Sequence, residues 1–594
     1  QQVCYECGIV VFAQRASSAR RIEVEEQIRY HKARKICEPV PSYPLHEKRL
    51  RKSYRERIEI DYVVSLCIQL LPKIKLKYFF LPLNLEIKIQ DNDIARHVNN
   101  LVESIPKKAF DKYYKETGCP AYHPRMMLKI LLCAYSQSVF SGRKIEALLS
   151  DSIRMMWLAQ GYSPSYRTIN RFRSNKDMQE LLCQCFIQFR AQLIKEKIIN
   201  NEAIFIDGTK IEANANKFSF VWKKAVEKYG ISLIENSRRI YDELVEQEII
   251  PAMELEQEAT INEKEMVEVV EKLDSAIEVM DKEIAESDSV EKRKRIRHKR
   301  KRPKQLRKIL KDNIARKQKY DRQLAIMENR NSYSKTDPDA TFMRMKEDYM
   351  KNGQLKPGYN VQIATEGQYA LAYDLFPNPT DTRTLKPFLD VIESSYFALP
   401  EYIVADAGYG SEENYVDIIE NRQLTPLITY GMYLKEQERR YKKDAFKTAN
   451  WDYDNADDYY TCPNGKKLIF KYNSQRKDKN GFARNFRVYE CEDCCNCPYR
   501  SQCCKAKEGN NRKISINVKW EQQKEYIRAQ LSDNKTGKIY KRRKIDVEPV
   551  FGFLKANLRF NRFTVRGKFK AKIEMGLALM AVNLRKYMQH TAAA

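Results

Sequence analysis

The chain has 594 residues, with 107 Lys and Arg against 79 Asp and Glu, and a formal net charge of +28. This length exceeds what one hydrophobic core usually spans, so we expect several domains or large insertions. No signal peptide and no bilayer-spanning apolar run is evident, which argues against a membrane protein and favours a cytoplasmic one. The positive charge favours a polyanionic partner, with nucleic acid ahead of a lipid surface.

The first 75 residues show poor hydrophobic periodicity, and we expect an atypical, disordered extension there. Cys4 and Cys7 form a lone C-x-x-C pair. Half of a zinc site is one interpretation, but two unrelated thiols are favoured because no partner pair lies nearby.

Helical patterns dominate residues 76–200, and the segment 150–175 has the form of a helix-turn-helix. In "GYSPSYRTINRFRSN", Gly161 can end one helix, and Ser163 or Ser165 can cap the next. The second helix would present a polar face to DNA, formed by Arg167, Asn170, Arg171 and Arg173. An ordinary bundle helix with a charged face fits the pattern equally well.

Two predicted strands end in an aspartate that a glycine soon follows. "AIFI" leads into Asp207, and "YIVA" leads into Asp406. A third acid, Glu548, lies in a basic, helical stretch. Three carboxylates suit two Mg²⁺ or Mn²⁺ ions, which can clamp the attacking and leaving oxygens of a phosphoryl transfer. Each acid alone is more often a turn-former or cap. Because Pro549 disfavours helical geometry at Glu548, we expect Glu548 at the start of its helix.

Residues 221–354 predict a helical insertion. Apolar residues from Met266 to Ile284 form a heptad seam, and a run of thirteen Lys and Arg lies between Lys292 and Lys311. Pro303 is expected to start a second helix, which gives an antiparallel coiled-coil hairpin. The basic run is then either neutralised by its partner helix or in contact with phosphates.

Residues 431–534 are rich in cysteine and predict a small β-ribbon. The candidate ligands of an all-cysteine structural Zn²⁺ site are Cys462, Cys491, Cys494, Cys497 and Cys503. A cluster of reduced thiols is the alternative.

Three blocks together resemble a known family. "FIDGTKIEANANK", "VADAGYGSEENY" and "VEPVFGFLKANLRFNRFTVRG" are similar to the catalytic blocks of bacterial insertion-sequence transposases, in which an RNase H-like core carries a DDE triad. The insertion-sequence-1182 type, related to insertion-sequence families 4 and 5, is the most similar branch. The resemblance covers about residues 83–587.

The resemblance implies a function and a set of functional residues. It implies that Asp207, Asp406 and Glu548 are the catalytic triad, which holds two Mg²⁺ or Mn²⁺ ions and drives cleavage and strand transfer of transposon ends. Tyr540, Arg543 and Lys555 match the residue types of a motif around the glutamate, although the Arg-to-Glu interval is one residue longer than usual. The remaining predicted DNA contacts are Lys210, Arg559, Arg562 and Arg566.

The expected fold is α/β, a mixed RNase H-like sheet flanked by helices, with a helical DNA-binding domain and two insertions. The catalytic core comprises residues 201–220, 355–430 and 535–590. We expect DNA as partner, a homodimer in the active complex, and a bacterial, nucleoid-associated location. A non-catalytic DNA-binding protein derived from a transposase, and an RNase H-like nuclease without strand transfer, remain alternatives.

Overall fold

The computed structural model describes residues 2–4, 9–11, 81–82, 85–113, 122–257, 260–345, 353–478 and 481–593. Within the predicted N-terminal extension, β1 (Gln2–Cys4) and β2 (Ile9–Val11) pair antiparallel, and β3 (Leu81–Pro82) pairs with β2. The remainder of that prediction, including the Cys4–Cys7 pair, lies outside the described residues.

The helices predicted for the N-terminal third are present. They are α1 (Ile94–Ser104), α2 (Pro124–Ser136), α3 (Gly142–Asp151), α4 (Ile153–Leu158), α5 (Tyr166–Arg173) and α6 (Met178–Lys195), with 3₁₀ turns at Leu85–Lys88 and Lys107–Tyr113. Ser165 caps α5, since its side chain accepts from the Thr168 N–H. Nearly every residue of α2 is buried, so this helix forms the centre of the domain.

A helical arm follows the first strand of the central sheet, β4 (Ala203–Glu212). At its base β5 (Phe220–Trp222) pairs with β6 (Ser332–Ser334), and between them lie α7 (Lys223–Glu246), α8 (Glu263–Glu286) and α9 (Val290–Met327). The predicted α8–α9 hairpin is present, but α7 joins it around one apolar core that contains Leu244, Leu273 and Leu310.

The prediction that Pro303 starts a helix is wrong, because α9 begins thirteen residues earlier, at Val290, and Pro303 lies inside it. Pro303 is buried, and it is followed by the buried residues Leu306 and Leu310. Packing of this apolar face offsets the single hydrogen bond that proline removes from the helix.

The central sheet is mixed. Its remaining strands are β7 (Thr341–Arg344), β8 (Leu355–Glu366), β9 (Tyr369–Phe376), β10 (Tyr402–Ala405) and β11 (Thr425–Ile428). The order is β11-β10-β4-β8-β7, and β9 also pairs with β8. Strands β4, β10 and β11 are parallel, whereas β8 runs antiparallel to β4. Strands β8 and β9 form a hairpin, with Gly367 and Gln368 both at positive φ in its turn.

Short helices connect these strands and lead into a β insertion. The helices are α10 (Leu385–Ser395), α11 (Glu412–Val416), α12 (Tyr433–Gln437) and α13 (Arg439–Lys442), with 3₁₀ turns at Asp381–Arg383 and Thr448–Asn450 and a π-helical turn at Asp417–Asn421. The insertion is an antiparallel five-stranded sheet of β12 (Tyr453–Asp454), β13 (Tyr459–Thr461), β14 (Lys467–Lys477), β15 (Ala483–Cys491) and β16 (Lys513–Ile516), with α14 (Arg500–Cys503) before the last strand.

The C-terminal helices return to the central sheet. They are α15 (Val518–Ser532), α16 (Asn534–Lys541), α17 (Arg543–Gly552) and α18 (Lys568–Ala593), with a π-helical segment at Phe553–Asn557. Helix α17 packs on β4, β8 and β9, and α18 packs on β9, α2 and α6. One hydrophobic core therefore joins the N-terminal helices, the sheet and α18.

Candidate active site

Asp207 lies within β4, and the alternation of the strand fixes the direction of its side chain. Ala203 and Phe205 pack in a cluster with Val547 of α17, whereas Ile204 and Ile206 belong to the main core. Because successive side chains point to opposite faces, Asp207 shares the face of Phe205 and α17. It is half-buried, and its Oδ1 accepts from the Gly208 N–H at 2.7 Å.

Asp406 follows β10, the parallel neighbour of β4. The register pairs Ala405 with Ile206, so the next position in each strand brings Asp406 beside Asp207. Val404 packs in the same cluster as Phe205, which places Asp406 on the same face by alternation. The Gly408 N–H donates to Asp406 Oδ1 at 2.8 Å and orients the carboxylate.

A fourth acid, Asp381, was missed by the sequence reasoning. It begins the 3₁₀ turn after β9, and its Oδ1 accepts from Asn360 Nδ2 at 2.7 Å and from Gln362 Nε2 at 3.0 Å. A Cβ added to Gly208 would lie 2.6 Å from Asp381 Oδ1, and one added to Gly408 would lie 3.9 Å from Asp381 Oδ2. Asp381 thus lies between the residues that follow Asp207 and Asp406. Its position in the loop that follows β9, within "NPTDTRTL", was the available signal.

The prediction that the strand ends at Asp207 is wrong, because β4 continues through Gly208 to Glu212. Gly208 has a steric role in this strand. An added Cβ would collide with Gln362 Nε2 as well as crowd Asp381. Glycine is therefore required here because the side chains that hold Asp381 cross directly over the strand.

Tyr409 lies near all three aspartates. It is fully buried, and its hydroxyl donates to Gln362 Oε1. Burial raises the pKa of Tyr409 well above its usual value, and the negative charges of Asp381, Asp207 and Asp406 raise it further. Tyr409 therefore stays protonated and fixes Gln362, whose amide holds Asp381.

Glu548 lies on α17, which packs against the same face of the sheet. The expectation that Glu548 begins its helix is wrong, because α17 starts at Arg543 and contains Pro549. Pro549 lacks the N–H that would bond the carbonyl of Ile545; Ile545 is exposed, so solvent is available to that carbonyl. Val547 and Val550 are buried on either side of Pro549, and their packing stabilises the helix there.

The two acids of α17 have different surroundings. Asp546 is buried and accepts from the N–H groups of Gly367 at 2.9 Å and Gln368 at 3.1 Å, so it caps the β8–β9 turn. Burial raises the pKa of Asp546. Glu548 is exposed and makes no hydrogen bond or ion pair with any described residue. Of these two acids, only Glu548 is available to a ligand.

The donor set suits a hard divalent cation. Asp207 and Asp406 present half-buried carboxylates side by side, and carboxylate oxygens are the ligands that Mg²⁺ and Mn²⁺ prefer. Across the described ranges, no three His, Cys, Asp or Glu side chains are already spaced to hold one ion. The structure therefore brings the two aspartates together, while Glu548 lies on a neighbouring helix.

The predicted DNA contacts around Glu548 are spread over three elements. Tyr540 is half-buried, with its hydroxyl 3.2 Å from Thr429 Oγ1, and Arg543 is the first residue of α17. Lys555 lies in the π-helical segment Phe553–Asn557, so it does not continue the α-helical phase of Glu548. Strand alternation places Lys210 on the opposite face of the sheet from Asp207.

The arginines beyond α17 bind the chain segment that follows β4. Arg562 Nη2 donates to the Ala215 carbonyl at 3.2 Å, and Arg566 Nε donates to the Asn214 carbonyl at 2.9 Å. Arg559 is exposed, in a left-handed conformation with φ of 56°. Arg562 and Arg566 therefore have structural partners, whereas the side chain of Arg559 faces solvent.

The predicted DNA-reading helix α5 divides into two faces. Arg167 and Arg171 are exposed, as the sequence predicts. Arg173 differs from the prediction because it is only 8% exposed and donates to Tyr135 Oη, the Phe140 carbonyl and Asn170 Oδ1. Asn170 is thereby engaged in the interior as well. The geometry leaves Arg167 and Arg171 as the surface that a duplex can reach.

The cysteines of the β insertion meet at one small cavity of about 20 Å³. Its cysteine lining consists of Cys462, Cys491, Cys494, Cys497, Cys503 and Cys504. Burial and the neighbouring Cys494 thiol together raise the pKa of Cys491 to about 12. Arg512 Nη1 donates to Cys503 Sγ at 2.6 Å. Five predicted zinc ligands therefore converge, although no three of them are spaced as metal ligands in the described part of the chain.

Comparison with known families adds to this geometry. Residues 83–175 match a family described as "Transposase domain (DUF772)", and residues 461–588 match one described as "Transposase DDE domain". These matches indicate a DDE transposase. The mixed sheet flanked by helices is consistent with the RNase H-like core of such a transposase. No curated protein and no solved structure matches the chain.

The two matched segments cover different parts of the chain. The first spans α1 to α5, and the second contains the cysteine cluster, Glu548 and most of α18. Asp207 and Asp406 lie outside both segments, and their assignment depends on the pairing of β4 with β10. None of the described helices combines the length and apolar character that a bilayer-crossing helix needs.

Proposed function

We propose that the protein is an insertion-sequence transposase of the 1182 type, which binds the terminal inverted repeats of its element and cleaves and joins DNA. The observation that carries this proposal is the placement of Asp207 beside Asp406 on parallel strands, with α17 packed on the same face. Two family matches to transposase domains, one on each side of this site in the sequence, support it.

The proposed chemistry assigns a role to each acid. Asp207 and Asp406 would hold a divalent cation between them, and Glu548 would supply the third carboxylate from α17. When bound, two Mg²⁺ or Mn²⁺ ions would supply the charge that activates the attacking oxygen and stabilises the leaving one. The network of Asn360, Gln362 and Tyr409 holds Asp381, whose carboxylate adds negative charge near these acids.

DNA binding is assigned to cations on either side of the site, of which Arg167, Arg171 and Arg559 are exposed and Lys555 is half-buried. Arg167 and Arg171 of α5 would contact the transposon end, and Lys555 and Arg559 would contact the backbone near the scissile bond. We propose a homodimer in the active complex, since two transposon ends must be paired, and action on nucleoid DNA in the bacterial cytoplasm.

The catalytic proposal is tested by cleavage of a duplex that carries the terminal repeat and flanking DNA. We expect Asp207→Asn, Asp406→Asn and Glu548→Gln each to abolish cleavage in Mg²⁺ while binding of the duplex persists. Glu278→Gln, at an exposed acid of the arm, is the matched control and should cleave normally. Cleavage by any of the three variants at the wild-type rate would overturn the site assignment.

A second measurement separates the alternatives. A pre-cleaved end with a free 3′-hydroxyl bypasses the cleavage step, so its joining to target DNA reports strand transfer alone. Joining by the wild-type protein supports a transposase, whereas cleavage without joining indicates a nuclease. Binding without either reaction indicates a DNA-binding protein only.

We further propose that the cysteine cluster binds a structural Zn²⁺. The support is convergence of the thiols on one cavity, together with Arg512, whose guanidinium would stabilise a thiolate at Cys503. Metal analysis of protein purified without added zinc should give one Zn²⁺ per chain, and Cys494→Ser should remove it. Wild-type protein that is folded but contains no Zn²⁺ would contradict this assignment.

A further inference from the structure

Helix α9 carries most of the positive charge of the helical arm. It contains seventeen Lys and Arg against three Asp and Glu, whereas α8 contains three Lys and Arg against nine Asp and Glu. If acids of α8 paired with every cation of α9, the basic run would serve only to hold the two helices together. The observed ion pairs involve only some of the cations of α9.

The paired cations lie on the flanks of α9. Arg300 and Lys304 pair with Asp281 of α8, and Arg307 and Lys311 pair with Asp274 of the same helix. On the other flank Arg302 pairs with Glu243 of α7 at 2.7 Å. The buried face between these flanks is mainly apolar. It includes Pro303, Leu306 and Leu310, together with Asn313, whose amide donates to Ser237 Oγ.

A separate set of cations lies on the face opposite the buried one. At 3.6 residues per turn, its six members fall within about 100° of arc and extend over about 37 Å. All six are exposed and none forms an ion pair or side-chain hydrogen bond with any described residue. We call this set the basic stripe; it consists of Lys294, Arg297, Lys301, Lys308, Arg316 and Lys319.

We propose that the basic stripe is a binding surface for the phosphate backbone of duplex DNA. Its length matches one helical turn of DNA, about 34–36 Å, and its charges are not already compensated. The choice of DNA as the partner rests on the proposed function. The existence of the basic stripe does not depend on that function. The arm has its own apolar core, so this surface can contact DNA apart from the acids of the central sheet.

A lipid surface fits the stripe less well. A helix that lies on a membrane needs exposed apolar residues beside its cations. The arc of the stripe between Lys294 and Lys319 holds no Leu, Ile, Val, Met or aromatic residue; besides the cations it carries only His298, Gln305, Asp312 and Ala315. Contact through charge alone, along one continuous helix, is typical of backbone contact with a nucleic acid.

The test compares two variants that each lose four positive charges from the arm. The stripe variant carries Lys294→Gln, Lys301→Gln, Lys308→Gln and Lys319→Gln. The control variant carries glutamine at four exposed lysines of α7 and α8 that form no ion pair with described residues, Lys224, Lys228, Lys264 and Lys282. Glutamine preserves helix propensity at all eight positions.

The measurement is binding of a duplex of roughly 30 base pairs without terminal repeats, at about 50 to 300 mM salt. Each lost phosphate contact lowers the slope of log K against log salt by about 0.9, so the stripe variant should lose about three to four units of slope. We expect its affinity to fall at least about tenfold at low salt, with the control variant within about twofold of wild type. Equal slopes for the two variants, changed or unchanged, would overturn the proposal.

Three further readouts test whether the stripe variant is folded, whether the stripe binds lipid, and whether the catalytic acids contribute to binding. If the stripe variant does not melt cooperatively, the double variant Lys301→Gln and Lys308→Gln replaces it in the binding assay. The double variant should lower the slope by about two units. Vesicles of phosphatidylserine and phosphatidylcholine provide the lipid comparison, and loss of vesicle binding with intact DNA binding would contradict the proposal. Asp207→Asn in the same binding assay should keep the wild-type slope, so failure of the catalytic assignment and failure of the stripe are separate outcomes.

Discussion

Replacing Arg173 by methionine should destabilise the contact between α5 and the C-terminal helix α18. Arg173 is 8% exposed and Glu574 is fully buried, with 3.7 Å between Arg173 Nη1 and Glu574 Oε1. Removing one partner leaves an uncompensated buried charge, which costs about 3–5 kcal/mol of unfolding free energy. The pair links the two segments that match transposase families, in addition to the hydrophobic core that joins them.

The cost should depend on pH in a defined direction. Burial raises the pKa of Glu574, although Arg173 and the Thr564 donors oppose this. A carboxyl with a raised pKa in the folded state stabilises the fold below its unfolded pKa, and this contribution is lost as pH rises through the folded pKa. Removing Arg173 raises that pKa further. We therefore expect Arg173→Met to cost more at about pH 8 than at about pH 5.

The assay is urea unfolding, combined with binding of the terminal-repeat duplex. Arg171→Met is the matched control, because Arg171 is an exposed arginine of the same helix, and its unfolding free energy should change by less than about 0.5 kcal/mol. Adding Glu574→Gln to Arg173→Met should restore part of the loss, since no charge is then buried alone. If Arg173→Met is as stable as wild type but binds DNA poorly, Arg173 is a DNA contact and the reasoning is refuted.

Three other substitutions test the candidate site. Gly208→Ala should destabilise the protein by about 1–3 kcal/mol and reduce cleavage, because the added methyl group would meet Asp381 and Gln362. The control is Gly230→Ala, at a position on α7 where the methyl group meets open space. In thermal unfolding this control should be neutral or stabilising by up to about 1 kcal/mol. Asp381→Asn keeps the acceptor and removes the charge, so we expect cleavage to fall about 10- to 100-fold with little change in urea unfolding; unchanged cleavage would leave Asp381 a structural residue. Asp546→Ala should cost about 1–3 kcal/mol, because it leaves the Gly367 and Gln368 N–H groups unpaired, while Glu548→Ala should leave stability unchanged; equal melting curves for the two would contradict the assignment of Asp546 as a cap.

Local patterns predicted much of the architecture. The apolar runs before Asp207 and Asp406 gave their strands, and the period of Leu273 and Ile277 gave the coiled-coil seam of α8, because each pattern repeats within a few residues of the chain. Errors occurred where packing overrides local preference. The sequence predicted that helices begin near Pro303 and Pro549. Each proline instead lies inside a helix, which packing of the buried neighbouring residues stabilises.

The sequence by itself determined which residues carry charge and where apolar strand segments lead into an acid, since those are properties of short segments. Only the tertiary structure decided which acids meet. The pairing of β4 with β10 brings Asp207 beside Asp406 across nearly 200 residues of chain. The same packing adds Asp381, assigns Asp546 to a turn and Glu548 to solvent, and buries Arg173 against Glu574. These contacts depend on which distant elements pack together, and no pattern within a short segment records that choice.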